Sequence, residues 1–299
     1  MTETTDAVIA VDIGGTKIAV ARIENGSIVE RRQIATPRTG RGDDLADAVA
    51  ETVRLITPLP HRLGVATTGI IDKGCLTALN PGTLPVENNY PLVLALKKRL
   101  GIEALAVNDA QAAAFHESRQ TNGKASRRLA FITVSTGIGA GFVLDGILQT
   151  GRHGLAGHAG HIVVDPHGPL CGCGRRGCVE TIASGTAIAQ RASEITGDAM
   201  TTPEVFEAAR RGDERCAQVL DGAAQALSVM IADLVATLDL DIVRLGGGVG
   251  MQAAFLHRLG IAMGQLPAIY CRPVEPALGG ADAGLLGVAT LLGENFLHK

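Results

Sequence analysis

The chain has 299 residues, enough for one large domain or two of ordinary size, and a hydrophobic content of 46% implies a sizeable buried core. A net charge of −3 gives no basic footprint for nucleic acid or an anionic membrane surface, so neither is expected as a partner. With 38 glycines, no Trp, two Tyr and six Phe, the composition leans toward tight turns and close backbone approaches to ligands. Met1 to Asp6 lacks the basic start and apolar stretch of a secretory leader. The nearest approach to a membrane span, Gln225 to Leu240, is interrupted by Asp233 and Asp239. A soluble cytoplasmic protein is expected.

In chain order, Val8 to Ile13 is an apolar run ending at Gly14-Gly15, and Ile18 to Ile23 resumes an extended pattern. A Glu24-Asn25-Gly26-Ser27 turn leads into Ile28 to Ile34, which completes a three-strand antiparallel meander. Asp43 to Leu55 has helical spacing, with Asp43 or Asp44 as its cap. Leu63 to Thr67 predicts a strand, Tyr90 to Leu100 a helix closed by Gly101, and Leu105 to Val107 another strand. Asn108-Asp109 opens an alanine-rich helix to about Glu117. The pattern then restarts: strand at Leu129 to Val134, glycine turn at Gly137 to Gly141, strand at Phe142 to Leu144, the turn Asp145-Gly146, and Ile147 to Gln149. A repeated unit of this size suggests two similar α/β domains. Polar, basic Ser118 to Arg128 forms the boundary, giving a first lobe over 1–118 and a second over 119–282. Helices at about Thr186 to Thr196, Thr202 to Arg211 and Glu214 to Leu238 precede a strand at Asp241 to Leu245, which ends in Gly246 to Gly250. The last helix, Ala283 to Leu292, is expected to pack back onto the first lobe, so that about 283–299 belongs to it.

Two glycine turns could hold phosphates. One is Asp12-Ile13-Gly14-Gly15-Thr16-Lys17, where Asp12 could also hold a metal-bound water. The other is Ser135-Thr136-Gly137-Ile138-Gly139-Ala140-Gly141. Each leads into a strand rather than a helix, which excludes a Walker loop and a dinucleotide fingerprint. A single such turn is usually only a hairpin, but one in each half of a repeat can clasp a nucleotide, with Gly247 and Gly248 near the adenosine. Asp109 is a candidate base at a strand–helix junction. The alternative is an N-cap, and a helix N-terminus would lower its pKa.

His161, Cys171, Cys173 and Cys178 have the spacing H-x9-C-x-C-x4-C. Three thiolates and one imidazole make a closed four-ligand set for structural Zn²⁺. Gly172, Gly174 and Gly177 let the backbone turn between ligands, and Arg175 and Arg176 can offset the surplus negative charge. Disulfides would need an oxidising compartment and leave the histidine unexplained. His161 could offer its second ring nitrogen to a ligand. Glu180 could accept hydrogen bonds from sugar hydroxyls or pair with Arg175 or Arg176. His153, His158 and His167 read singly as loop histidines.

Together these pieces resemble the ROK family of repressors and sugar kinases, within the actin and hexokinase superfamily. The resemblance spans essentially the whole chain and rests on Asp12 to Lys17, Val107 to Ala110, Val134 through Gly151 to Gly160-His161, and the metal segment. It implies a two-lobed, ribonuclease H-like α/β fold with duplicated βββαβαβα domains, ATP with Mg²⁺ between the lobes, and a homodimer. By it, Asp109 is the catalytic base, and Asn108, His161 and Glu180 contact the sugar. The runs Thr67-Thr68-Gly69-Ile70-Ile71, Leu79-Asn80-Pro81 and Asp165 to Gly185 resemble the branch acting on N-acetylmannosamine in sialic acid breakdown, which adds Gly69 and Asn80 to the substrate contacts. The implied activity is ATP-dependent phosphorylation of that sugar's 6-hydroxyl. The alternatives are a glucose or N-acetylglucosamine kinase, or a sugar-sensing regulator. Glucokinase-like members carry Glu three residues before the metal histidine, where this chain has His158. Histidine can donate as well as accept, which suits an acetamido carbonyl.

Overall fold

A computed structural model describes residues 7–57, 61–79, 82–120 and 128–294. Internal contacts divide the chain into two compact units: Met1–Asn122 with Leu148–Ala156 and Gly279–Lys299, and Gly123–Ile147 with Gly157–Leu278.

The first unit opens on β1 (Val8–Ile13), β2 (Lys17–Glu24) and β3 (Ser27–Ala35). β1 is almost wholly buried, as its apolar run Val8 to Val11 requires, with Asp12 the one polar residue. β3 carries Glu30, Arg31 and Arg32 along the edge of the sheet, where charge discourages further pairing. Asn25 and Gly26 both have positive φ (50° and 74°), the two-residue turn that the Asn-Gly pair favours. β4 (Leu63–Thr67) and β7 (Ala104–Asn108) add in parallel, giving the order β3-β2-β1-β4-β7. A small hairpin, β5 (Ile70–Asp72) with β6 (Cys75–Thr77), lies outside the sequence expectation.

Helix α1 (Gly42–Ile56) has Arg41 at its N-cap with no side-chain cap. Asp43 and Asp44, expected to cap it, lie in its first turn instead. Glu87 supplies the missing acceptor, its Oε2 taking the Gly42 amide at 2.6 Å. α2 (Leu92–Leu100) begins two residues later than expected because Tyr90 is bridged to Leu76 and Pro91 follows it. α3 (Asp109–Arg119) packs against the C-terminal α10 (Ala283–Gly293), which also covers β1 and β4. A Cβ on Gly287 would stand 1.9 Å from the Ala112 carbonyl oxygen, so the two helices meet backbone to backbone.

The second unit repeats the plan. β8 (Arg128–Val134), β9 (Ile138–Leu144), β10 (Ile147–Gln149), β11 (Ile242–Gly246) and β12 (Val274–Pro276) form a sheet of order β10-β9-β8-β11-β12. Strand for strand this matches the first sheet. Asp145-Gly146 (φ 54° and 79°) repeats the positive-φ turn. The stretch Gly137 to Gly141, expected to be a turn, is mostly strand: only Ser135 to Gly137 turns. Gly139 and Gly141 lie in β9 because another backbone crosses there. Cβ atoms on Gly157 and Gly160 would fall 2.2 Å from the carbonyl oxygens of Ala140 and Ile138.

Around this sheet lie α4 (Glu180–Ala183), α5 (Gly185–Thr196), α6 (Thr202–Arg210), α7 (Glu214–Leu238), the one-turn α8 (Gly247–Gly250) and α9 (Ala253–Gly264). By length and composition α7 could cross a membrane, yet Leu227, Met230 and Ile231 are fully buried and it packs on α4, α5, α6 and α9. It is the central core helix of this unit.

Candidate active site

Both glycine turns share one backbone device. In the first, the Gly14 amide donates to the Lys17 carbonyl at 3.0 Å. The carbonyls of Gly14 and Gly15 accept from Thr36 Oγ1 (2.7 Å) and Arg38 Nη1 (3.1 Å). The Gly15 and Thr16 amides have no acceptor among the described residues, as an anion-holding turn requires. In the second, Ser135 N donates to Gly137 O at 2.9 Å, and Ser135 O accepts from Gly185 N at 2.7 Å. Thr136 O accepts from Thr186 Oγ1 at 2.9 Å.

At the end of β7 the chain resolves the ambiguity of Asn108-Asp109. Asn108 is the N-cap: its side chain accepts from the amides of Ala110 and Gln111, while Gln111 Oε1 takes the Asn108 amide at 3.2 Å. Its Nδ2 donates to Gly69 O at 3.0 Å, so Gly69 (φ 99°) serves as an anchor for Asn108. Asp109 is thereby spared the N-cap position, and its Oδ1 takes the Ala110 amide at 2.8 Å. Contrary to the sequence expectation, its pKa is raised. Burial outweighs the amide hydrogen bonds that lower it. Asp12, at the end of β1, is pushed up to about 7, first by burial and then by the nearby Asp109, against the pull of Lys17. A carboxylate whose charge is disfavoured by a neighbouring carboxylate, as Asp12 is by Asp109, suits a divalent cation. Asn80 lies outside the described residues.

In the second unit His161, Cys171, Cys173 and Cys178 converge, all four donor atoms lying within 4.8 Å of one another. Cys171 Sγ is 3.5 Å from His161 Nδ1, and Cys173 Sγ is 3.6 Å from Cys178 Sγ. Bond lengths of about 2.3 Å to sulfur and 2.0 Å to nitrogen give tetrahedral edges of roughly 3.8 and 3.5 Å, so the donor set fits zinc. The cysteines are free thiols rather than disulfides. A hydrogen bond from the Arg175 amide is the main cause lowering the Cys173 thiol to about 7, whereas burial pushes Cys178 up to about 12. Arg175 also donates through Nη2 to the His161 carbonyl. Arg176 contributes backbone, in a bridge with Leu170. Glu180, the first residue of α4, makes no ion pair to Arg175 or Arg176 among the described residues and accepts the Ile138 amide through Oε2 at 2.8 Å. It therefore ties the metal segment to the start of β9. His158 is half-buried, and its carbonyl accepts the His161 amide at 3.1 Å.

A cleft of about 980 Å³ opens in the second unit. Ser135, Thr136 and Gly248 line it, as expected for nucleotide contacts, but Gly137, Gly139, Gly141 and Gly247 do not. Gly247 has a structural duty: its φ is 84°, and a Cβ would lie 2.3 Å from the Val134 carbonyl oxygen. The sequence reading missed the wall formed by α6 and its approach, including Thr202, Phe206, Glu207 and Arg210, and the facing Gln252 and Arg258. The helix itself was expected, at Thr202 to Arg211; its place beside Ser135 and Thr136 is set by the tertiary fold.

A model of the ROK family matches residues 8–295. The N-acetylmannosamine kinase of Haemophilus influenzae is 42% identical over 291 residues, 97% of each chain. That of Yersinia pestis is 46% identical over 287 residues, 94% of this chain and 96% of its own. Among solved structures, the ROK hexokinase of Thermus thermophilus superposes with a TM-score of 0.85 at 31% identity, covering 97% of this chain and 99% of that one. The Streptomyces griseus glucokinase, in complex with glucose and AMPPNP, gives 0.80 at 30% identity over 95% and 98%. This chain, with its duplicated sheets and paired glycine turns, belongs to the ROK family.

Proposed function

We propose that this protein transfers the γ-phosphoryl group of ATP to the 6-hydroxyl of N-acetylmannosamine, giving the 6-phosphate and ADP. The observation that carries this reading is Asp109: uncommitted to capping, held at a strand–helix junction, and with its pKa raised by burial. A carboxylate of raised pKa takes a hydroxyl proton more readily, and the loose transition state of phosphoryl transfer asks for that proton only late. Asn108, fixed between Gly69 and the first turn of α3, orients one sugar hydroxyl. His161 and Glu180 supply further sugar contacts, and Asn80 is proposed with them. The turns at Gly14 to Lys17 and Ser135 to Gly137 hold phosphates, with the adenosine in the cleft beside Gly248. Mg²⁺ carried with ATP would neutralise phosphate charge near Asp12, and zinc on His161, Cys171, Cys173 and Cys178 would fix the loop that carries His161. The cytoplasm, where ATP is supplied and thiols stay reduced, suits this chemistry, and we propose a homodimer.

His158 favours the acetamido sugar over glucose, because an imidazole N–H can donate to the amide carbonyl where a carboxylate cannot. The test is ADP release with N-acetylmannosamine, N-acetylglucosamine, glucose and mannose, with Asp109→Asn as control. N-acetylmannosamine should give the largest kcat/KM, and the variant should lose about 10²–10⁴-fold in kcat. Turnover of none of the four sugars, or a fully active variant, would refute the mechanism.

A further inference from the structure

A peptide unit is planar, and its C=O and N–H point opposite ways. Whatever holds the carbonyl therefore aims the amide. In the first glycine turn, the amides without an acceptor among the described residues are those of Gly15 and Thr16. Their peptide units carry the carbonyls of Gly14 and Gly15, which are the two held by Thr36 Oγ1 and Arg38 Nη1. Thr36 is buried, and its own amide donates to the next carbonyl, that of Thr16, at 3.1 Å. Arg38 is exposed and also reaches the Gly82 carbonyl at 2.7 Å.

The second turn repeats the arrangement with other residues. The Thr136 and Gly137 amides have no acceptor among the described residues, and their peptide units carry the carbonyls of Ser135 and Thr136. The Gly185 amide holds Ser135 O, and Thr186 Oγ1 holds Thr136 O. Both donors come from the start of α5, where a Cβ on Gly185 would stand 2.8 Å from Ser135 O. Each turn thus frees two successive amides, and in each a threonine hydroxyl from outside the turn fixes one of them.

The peptide that Thr36 fixes lies between Gly14 and Gly15, and the one that Thr186 fixes ends on Gly137. Glycine meets little steric resistance at either sign of φ, so these peptides can turn over at low cost. A peptide turned over presents C=O instead of N–H and repels the phosphate it should hold. We propose that Thr36 and Thr186 are positioning residues for phosphoryl transfer, each locking one amide of its turn toward the phosphates of ATP. Each hydroxyl proton is committed to a carbonyl, so the effect passes through the backbone. This role rests on the kinase reading above.

The test is calorimetric titration of AMPPNP with Mg²⁺, and separately of adenosine, into the wild type, Thr36→Val, Thr36→Ser, Thr186→Val and Thr186→Ser. Valine keeps the shape of threonine without its hydroxyl, whereas serine keeps the hydroxyl. Each valine variant should bind AMPPNP about tenfold more weakly, the worth of one hydrogen bond, and adenosine within about twofold of the wild type. The serine variants should restore AMPPNP affinity. A hydroxyl that only supported the fold would lower the melting temperature and weaken both ligands alike. Thr186 is exposed, so its variants carry the test even if Thr36→Val folds poorly. Unchanged AMPPNP affinity in either folded valine variant, serine variants as weak as the valine ones, or equal losses for adenosine would each overturn the assignment. Those outcomes leave a wild type that binds AMPPNP and so spare the kinase reading. A wild type that binds no AMPPNP would sink both.

Discussion

Asp109 stands at a helix start, where the dipole and amide hydrogen bonds lower a carboxylate's pKa, yet burial prevails and raises it. Asp12 is carried to about 7 by burial and by Asp109. A base must be ionised to act, so raised values place the acid limb of activity unusually high. As pH falls through these folded-state values the proton stays on and the rate is lost. Because the Asp109 carboxyl is shifted upward, kcat/KM is expected to decline at a pH above the ordinary carboxylate range, in a profile from pH 5 to 9. A limb that appears only near pH 4 would show that the burial does not persist in solution.

The same shift has a stability sign. A raised carboxylate pKa means that the folded state binds the proton more tightly than the unfolded chain. This contribution therefore favours folding below about pH 4 and is lost as pH rises to about 7. Asp12→Asn should accordingly stabilise the fold at pH 8 by up to about 4 kcal/mol, for a shift of about three units, and so raise the melting temperature there while reducing activity. A variant with an unchanged or lower melting temperature at pH 8 would contradict this. His158→Glu tests specificity at the same scale. It should move the preference between N-acetylmannosamine and glucose toward glucose by about tenfold, measured as the ratio of kcat/KM, the worth of one hydrogen bond.

At the scale of elements, the metal segment is a backbone knuckle as much as a set of thiols. Cys171 N donates to Arg175 O at 2.7 Å, Gly174 N to Cys171 O at 2.9 Å, and Val163 bridges to Cys178. Gly177 (φ 67°) is the tightest point: a Cβ there would lie 1.4 Å from the Asp165 carbonyl oxygen. Gly177→Ala cannot be accommodated without moving Cys178, the ligand that follows it. We expect the variant to lose zinc by metal analysis and to raise the KM for the sugar at least about tenfold, the cost typical of disturbed metal surroundings. Because no cluster residue lines the 980 Å³ cleft, the KM for ATP should change far less. Equal rises in both would remove the cluster from the sugar side.

The cluster was legible because its spacing is local: three cysteines and a histidine this close in sequence bring four donor atoms within reach of one another. The hairpin β5–β6 was not legible, since its three-residue strands are too short to show alternation and its turn uses Lys73 in place of Asn or Asp. Gly139 and Gly141 were misplaced for a related reason. Glycine carries no hydrophobic alternation, so the strand they belong to is marked only by the Gly157–Gly160 backbone laid across it. The pKa of Asp109 was misjudged because local sequence shows the helix start and hides the burial.

Over the whole molecule the duplication was the clearest signal, carried by two meanders closed by Asn25-Gly26 and Asp145-Gly146 and realised as sheets of matching strand order. The consequence is a division of labour that can be measured. The Asp12 to Lys17 turn belongs to the first unit and the 980 Å³ cleft to the second. α10 lies on α3 and β1, the elements that carry Asp109 and Asp12, and Gly287 is its point of closest approach to α3. Gly287→Ala must push α10 away from the Ala112 carbonyl, an overpacking that costs about 1–3 kcal/mol. The strain falls on β1 and α3 and leaves the cleft intact. The variant should therefore bind adenosine within about twofold of the wild type, while AMPPNP with Mg²⁺ binds about tenfold more weakly, since only the latter uses the Asp12 turn. Titration of both ligands decides the matter. If adenosine weakens as much as AMPPNP, the Asp12 turn has no phosphate-holding role of its own.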